Sequence, residues 1–284
     1  MWPAPQKGIR TDRGFVHKVF GLTLKERMAI MGTRSWWKGN NLVTFDDLYN
    51  TARAKQGLWA DCPLAAIAQD PSIATVIFED FTNVDAATLA GYTATKATTG
   101  TFALDPTQAN GVALADCGAT TQHQGINVQK LGNSILPAAG KDIWFEARVK
   151  VVDLIANIQM FVGLAGTDTT LMPNGAIDST NSEYIGILIP TAGAGVMTLA
   201  AAKATAADTA AYAAIVEDTW TNIGFKVNGV TDIKSFLNGV VQADTILTAS
   251  LPVTDILTPT FVCQSDGTSD PILHIDWYKC VQLR

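Results

Sequence analysis

Thr221-Asn222-Ile223-Gly224-Phe225-Lys226-Val227-Asn228-Gly229-Val230-Thr231-Asp232-Ile233-Lys234-Ser235-Phe236-Leu237-Asn238-Gly239-Val240-Val241-Gln242 contains two Asn-Gly pairs ten residues apart, each between strand-like runs. Asn-Gly supplies the two positive-φ residues of a type I′ turn, whose twist matches that of paired strands. The stretch predicts a three-strand meander over 220–227, 230–237 and 240–247. Further upstream, residues 143–151 alternate. Ile143, Phe145, Ala147, Val149 and Val151 face one way, and Trp144, Glu146, Arg148 and Lys150 the other. Residues 157–165 and 184–189 are more continuously apolar, as central sandwich strands are. The last strand, 273–283, alternates again and predicts Ile275, Trp277, Lys279 and Val281 on one face. Residues 200–214 are rich in alanine, a helix former, but they also hold Thr205, Asp208 and Thr209 and read as strand–loop–strand. Strands at this spacing, without helix-period segments between them, imply antiparallel sheets packed as a sandwich.

The chain changes character near residue 75. Residues 1–75 read as an arm with short helices, and residues 76–284 as the sandwich. Thr23-x-x-Glu26 is a capping box followed by Leu24, Met28 and Met31 at helical spacing, with Gly32 as a stop. Thr44-x-x-Asp47 opens a second helix with Phe45, Leu48, Tyr49 and Ala52 on one side, ended by Gly57. Between them lies Trp36-Trp37-Lys38-Gly39-Asn40-Asn41, where at least one tryptophan is expected to pack on the sandwich or on a partner.

Charge divides the same way. Residues 1–56 hold ten basic and four acidic residues, a balance of +6, and the remainder carries −12. A basic arm on an acidic body suits docking on an acidic partner, either a protein shell or nucleic acid. The arm region also holds Trp2, Trp36, Trp37 and Trp59, four of the seven tryptophans. Short helices of this kind are marginal without packing, and aromatic and arginine anchors dominate interface energy. Arg10, Arg13, Lys18, Arg34, Trp36, Trp37 and Lys38 are therefore the candidate binding residues of the arm.

A chain of 284 residues buries a core without disulfide staples. Its charged fraction of 16% lies below the usual level of about 25%, which suggests that other subunits cover part of the surface. The start, Met1-Trp2-Pro3-Ala4-Pro5, lacks the apolar stretch of a secretory leader, and no run of apolar residues reaches membrane-spanning length. Cys62, Cys117, Cys263 and Cys280 are scattered, form no C-x-x-C pair and read as free thiols.

In combination, several motifs resemble a family of tailed-bacteriophage virion proteins with a concanavalin-like jelly roll, typically encoded beside the major capsid protein. They are Phe78-Glu79-Asp80-Phe81, the run Ala139 to Val151, and Phe161-Val162-Gly163-Leu164-Ala165-Gly166-Thr167-Asp168-Thr169-Thr170. Asp218-Thr219-Trp220 leading into Gly224-Phe225, Phe236-Leu237-Asn238-Gly239, and His274-Ile275-Asp276-Trp277-Tyr278-Lys279 complete the set. The Trp…Gly-Phe…Asn-Gly series is also similar to laminin-G and lectin-like sandwiches. The resemblance covers about residues 78–284 and implies a mainly β, antiparallel jelly-roll sandwich. It further implies a capsid decoration, cement or head-fibre role on the virion exterior, with the protein made in the bacterial cytoplasm. The implied partners are the major capsid protein and further copies of the chain, a trimer favoured over a dimer, with no membrane and no nucleic acid. The alternative is a glycan-binding module of a fibre or spike.

Enzymatic chemistry finds little support in the sequence. Retaining glycosidases need two carboxylates about 5 Å apart, and laminarinase-like sandwiches place them as Glu-x-Asp-x-Glu on one strand. The best strand here offers Glu146 alone, followed by Arg148 and Lys150. His274-x-Asp276 reads as an edge-exposed polar pair, and His17 and His123 as isolated. Asp168 and Asp266 lie in polar loops without the carboxylate spacing of a calcium loop. No cofactor and no metal are expected.

Overall fold

The computed structural model describes residues 57–284, apart from 83–88, 109, 119, 153–157, 179, 181 and 191–194, together with the strands Arg34–Lys38 and Asn41–Phe45. Chain contacts divide it into two units, residues 1–55 and 56–284. In the first, β1 (Arg34–Lys38) and β2 (Asn41–Phe45) pair antiparallel, with Trp36 opposite Val43 and Trp37 opposite Leu42. The Trp-Trp stretch is thus one strand of an antiparallel pair. The helix expected near 23–31 lies outside the described residues. The second was expected to open at Thr44, but Thr44 and Phe45 are the last residues of β2, and residues 46–56 lie outside the described residues.

In the second unit, α1 (Leu64–Gln69) precedes the strands. These are β3 (Ala74–Glu79), β4 (Tyr92–Lys96), β5 (Thr101–Leu104), β6 (Ala113–Asp116), β7 (Gly125–Lys130), β8 (Ile143–Val152), β9 (Ile158–Ala165) and β10 (Tyr184–Ile189). They continue with β11 (Val196–Lys203), β12 (Ala206–Ala214), β13 (Thr221–Val227), β14 (Asp232–Leu237), β15 (Val240–Leu247), β16 (Thr258–Ser265) and β17 (Ile272–Leu283). One sheet has seven strands in the order β12-β11-β10-β9-β16-β7-β4. The other has eight, β15-β14-β13-β8-β17-β6-β5, with β3 also paired to β17. All the pairings are antiparallel, so the expected mainly β sandwich is what forms.

The core lies between the sheets. The inward set predicted for β8 is fully buried there. Phe145 stacks on Phe225 at 5.1 Å, and Phe261 meets Tyr278 at 5.2 Å. Gly186 is required where a Cβ would lie 2.5 Å from the Phe161 ring. The alanine-rich stretch forms the β11–β12 hairpin, where ladder pairing and burial of Ala200, Ala201 and Ala202 override alanine's helical preference.

Three local expectations change. The second Asn-Gly pair is a two-residue turn with both φ positive, Asn238 at 48° and Gly239 at 76°. At the first pair only Gly229 has positive φ, and β14 begins at Asp232, so residues 228–231 make a longer loop closed by Thr231 N–H to Asn228 O at 2.9 Å. In β17 the register against β8 shifts between Ile275 and Trp277. Ile275 therefore joins the core with Leu273, Tyr278 and Cys280, while Lys279 and Val281 face outward. A single extra residue at a bulge reverses the faces that strict alternation assigns. Finally, Leu58, Ile67 and Ala74 pack with Trp144, Phe236 and Val281, so residues 57–74 belong to the sandwich unit although their composition resembles that of the arm.

Candidate functional site

The outer face of the eight-stranded sheet carries the outward residues of β8, and the segment after residue 56 is laid across part of it. Gly224 makes this possible, because a Cβ there would lie 2.7 Å from Leu58 Cδ2 and 2.5 Å from Phe145 O. Next to Leu58, Trp59 Nε1 donates to Glu146 Oε2 at 2.5 Å, and Lys279 Nζ sits 3.8 Å from the Trp59 ring centre. Burial pushes the Glu146 carboxyl above its ordinary range, and the Trp59 hydrogen bond and Lys279 only partly offset it. One turn further on, Asp61 accepts from Trp144 Nε1 at 3.0 Å and is bonded to Lys226, which also reaches Asp142 at 3.2 Å. The carboxylate that β8 offers for chemistry is thus only 8% exposed and engaged in fastening the entering chain.

Beyond this segment, Trp220 stands among charged groups. Arg148 lies 4.7 Å and Lys150 5.3 Å from its ring centre, and the His274 ring meets it edge-on at 6.3 Å. Arg148 is bonded to Asp276. His274 Nδ1 is 3.6 Å from Asp105 Oδ2, too long for a hydrogen bond. Burial and then Lys150 lower the His274 pKa against the opposing pull of Asp105 and Asp218, so the ring is neutral at neutral pH. The His274-x-Asp276 pair is therefore not edge-exposed: β17 is an interior strand and His274 is buried. Sequence spacing missed this grouping because Arg148, Trp220 and His274 come from three different strand regions.

The outer face of the seven-stranded sheet is covered differently. The loop after β9 packs Leu171 and Met172 on Phe161, Tyr184, Leu188 and Val262. Amides projecting from the sheet fix its backbone. Gln264 Nε2 donates to Met172 O at 3.0 Å, Gln129 Nε2 to Gly166 O at 2.9 Å, and Asn127 Nδ2 to Asp168 O at 2.6 Å. Beside this loop is a cavity of about 270 Å³ whose lining includes Thr93, Thr95, Asn127, Lys130, Asp168 and Thr169. Asn127 Oδ1 is buried and lacks a hydrogen-bond partner. Its orientation is fixed, since the Asp168 carbonyl requires the amide NH2 on the other side.

Of the predicted arm residues, Arg10, Arg13 and Lys18 lie outside the described residues. Arg34, Trp36, Trp37 and Lys38 share strand β1. Asp168 sits at the cavity and accepts from Thr170 N–H at 2.8 Å, whereas Asp266 accepts from Gln159 Nε2 at 3.1 Å. His123 is not isolated, for its Nδ1 pairs with Gln159 Oε1 at 3.1 Å. Among the described residues, no group of three or more His, Cys, Asp or Glu side chains is placed to hold a metal ion.

No family model matches the chain, and no curated protein matches it significantly. Solved structures do. An endo-1,3-beta-glucanase from Streptomyces sioyaensis aligns with a TM-score of 0.53 at 12% identity, over 75% of this chain and 98% of the glucanase. A protein of unknown function from Shewanella oneidensis MR-1 aligns with a TM-score of 0.52 at 16% identity, over 75% of this chain and 87% of the other. At such identities the likeness is one of fold, and the fold of this chain is a concanavalin A-like jelly-roll sandwich.

Proposed function

We propose that the chain is a non-catalytic structural protein of a tailed-bacteriophage virion, with the basic N-terminal unit docked on the major capsid protein and the acidic sandwich displayed outward. The observation that carries this reading is the use made of the β8 face. Glu146, Asp61 and Lys226 fasten the chain where it enters the sandwich, through Trp59 and Trp144. A sandwich fastened in this way at its N-terminal root is suited to display on a tether. The charge division of +6 against −12 supports the same reading, as does the family resemblance of the motifs. Copies on a capsid occupy symmetric positions, and a trimer on the outer shell is the favoured arrangement. The test is co-sedimentation with undecorated capsids. Full-length protein should pellet with them, and residues 56–284, folded but lacking the first unit, should stay in solution. Capsid binding by the truncated protein at full occupancy would sink the proposal.

One observation favours a second reading, a glycan-binding module. The cavity beside the loop after β9 is lined with threonine hydroxyls and with the side-chain amides of Asn127, Gln129 and Asn133. Hydroxyls and amides of this kind both donate to and accept from sugar hydroxyls, and a fold neighbour acts on a 1,3-β-glucan. Calorimetry with 1,3-β-glucan oligosaccharides decides it, because heat of binding abolished by Asn127→Leu is required.

A further inference from the structure

Cys117 directly follows β6 of one sheet, and Cys263 lies within β16 of the other. Though 146 positions apart in sequence, they face each other across the core with their Sγ atoms 3.2 Å apart, and both are fully buried. One carbonyl organises the pair: Pro271 O accepts from Cys117 N–H at 3.3 Å and from Cys263 Sγ at 3.5 Å. The other two thiols lie elsewhere. Cys62 packs beside Trp59 on the outer face, and Cys280 is buried in β17. In a disulfide the sulfurs are about 2.05 Å apart. Closing the present gap therefore takes an approach of about 1 Å, within reach of small rotations of the two side chains.

We propose that Cys117 and Cys263 are a covalent modification site, a dithiol that a low-molecular-weight disulfide oxidises to a cross-link between the two sheets. With glutathione disulfide, one protein thiolate attacks a glutathione sulfur, forming a mixed disulfide and releasing one glutathione thiolate. The second protein thiolate then attacks the protein sulfur of that mixed disulfide and releases the other glutathione. The protein loses two protons and two electrons, and the disulfide becomes two glutathione thiols. Burial raises the Cys117 thiol far above its ordinary range, with the Cys263 contact adding to the effect. Exchange therefore waits on local opening of the β6 end of the sandwich. The cross-link closes a long loop in the unfolded chain, and the expected rise in thermal midpoint is about 5–15 °C. The inference rests on the geometry of the pair and is independent of the functional reading. For a protein displayed outside a virion, oxidation follows release from the reducing cytoplasm.

The test treats full-length protein with glutathione disulfide, alkylates it under denaturing conditions, and maps the peptides by mass spectrometry without reduction. The expected result is a peptide joining Cys117 to Cys263, alkylation of only Cys62 and Cys280, and recovery of all four thiols on reduction. Cys62→Ser should leave the linked peptide intact, and Cys263→Ala should abolish it. Alkylation of all four cysteines, a glutathione adduct that never resolves, or a link through Cys62 or Cys280 overturns the proposal.

Discussion

Replacing Trp59 tests whether the chain entering the sandwich is fastened to its outer face. The indole N–H donates to Glu146, a carboxylate only 8% exposed. Trp59→Phe keeps most of the ring contact but removes that donor, and hydrogen bonds to charged groups contribute about 1.5–3 kcal/mol. Trp59→Ala also removes packing against the cluster of Leu58, Trp144 and Val281. Full burial of a large aromatic is worth about 3–5 kcal/mol on truncation to alanine. Trp59 is half-buried, so about half of that adds, for a total of about 3–5 kcal/mol. Urea unfolding followed by far-UV circular dichroism measures this, with an unchanged m-value showing that the native state is intact. Glu146→Gln in the Trp59→Phe background should cost less than the sum of the single changes, because the two residues share one interaction. If Trp59→Ala falls within about 0.5 kcal/mol of the wild type, the level of an ordinary surface substitution, segment 57–62 does not fasten the sandwich and the reasoning fails.

Further outcomes follow from the same geometry. Because the folded-state pKa of Glu146 is raised above its ordinary 4.5, its contribution to stability is present below pH 4.5 and is lost as the pH rises through the folded value. The stability of Glu146→Gln relative to wild type should accordingly improve across that window, and a constant difference from pH 4 upward contradicts the burial argument. Residues 56–284 expressed alone should give a β-sheet circular dichroism spectrum and a cooperative transition; a predominantly helical spectrum refutes an autonomous sandwich. Light scattering on the full-length chain should exceed the monomer mass of 30.2 kDa, and a strict monomer in solution and on the shell argues against the oligomer.

Much of the sandwich was legible because burial against the opposite sheet imposes period-two alternation, and in β8 Ile143, Phe145, Ala147, Val149 and Val151 all enter the core, although Trp144 and Glu146 on the other face are covered as well. The Asn238-Gly239 turn was legible for an equally local reason: both residues adopt the positive φ that their side chains tolerate. What escaped was set by neighbours distant in sequence. The β17 bulge falls where the partner on the strand's other edge changes, from β6 at Ile272–Ile275 to β3 at Tyr278–Leu283. For the pairing of β1 with β2 the sequence carries one signal, the Gly-Asn dipeptide between two strand-like runs, and it competes with the helical capping boxes on either side. Glu146 was identified as the lone carboxylate of its strand. Its burial beneath Trp59 depends on a contact 87 positions away that no local pattern encodes. The cavity at Asn127 is built from β4, β7 and the loop after β9, with no spacing motif among them.

The proposal that this jelly roll decorates a capsid is tested most directly by image reconstruction of particles with and without the protein. The account predicts difference density on the outer shell at symmetric positions. In that density the first unit should contact the capsid protein, and the sandwich should point outward. Density confined to a tail or fibre tip, or none on the shell, contradicts it.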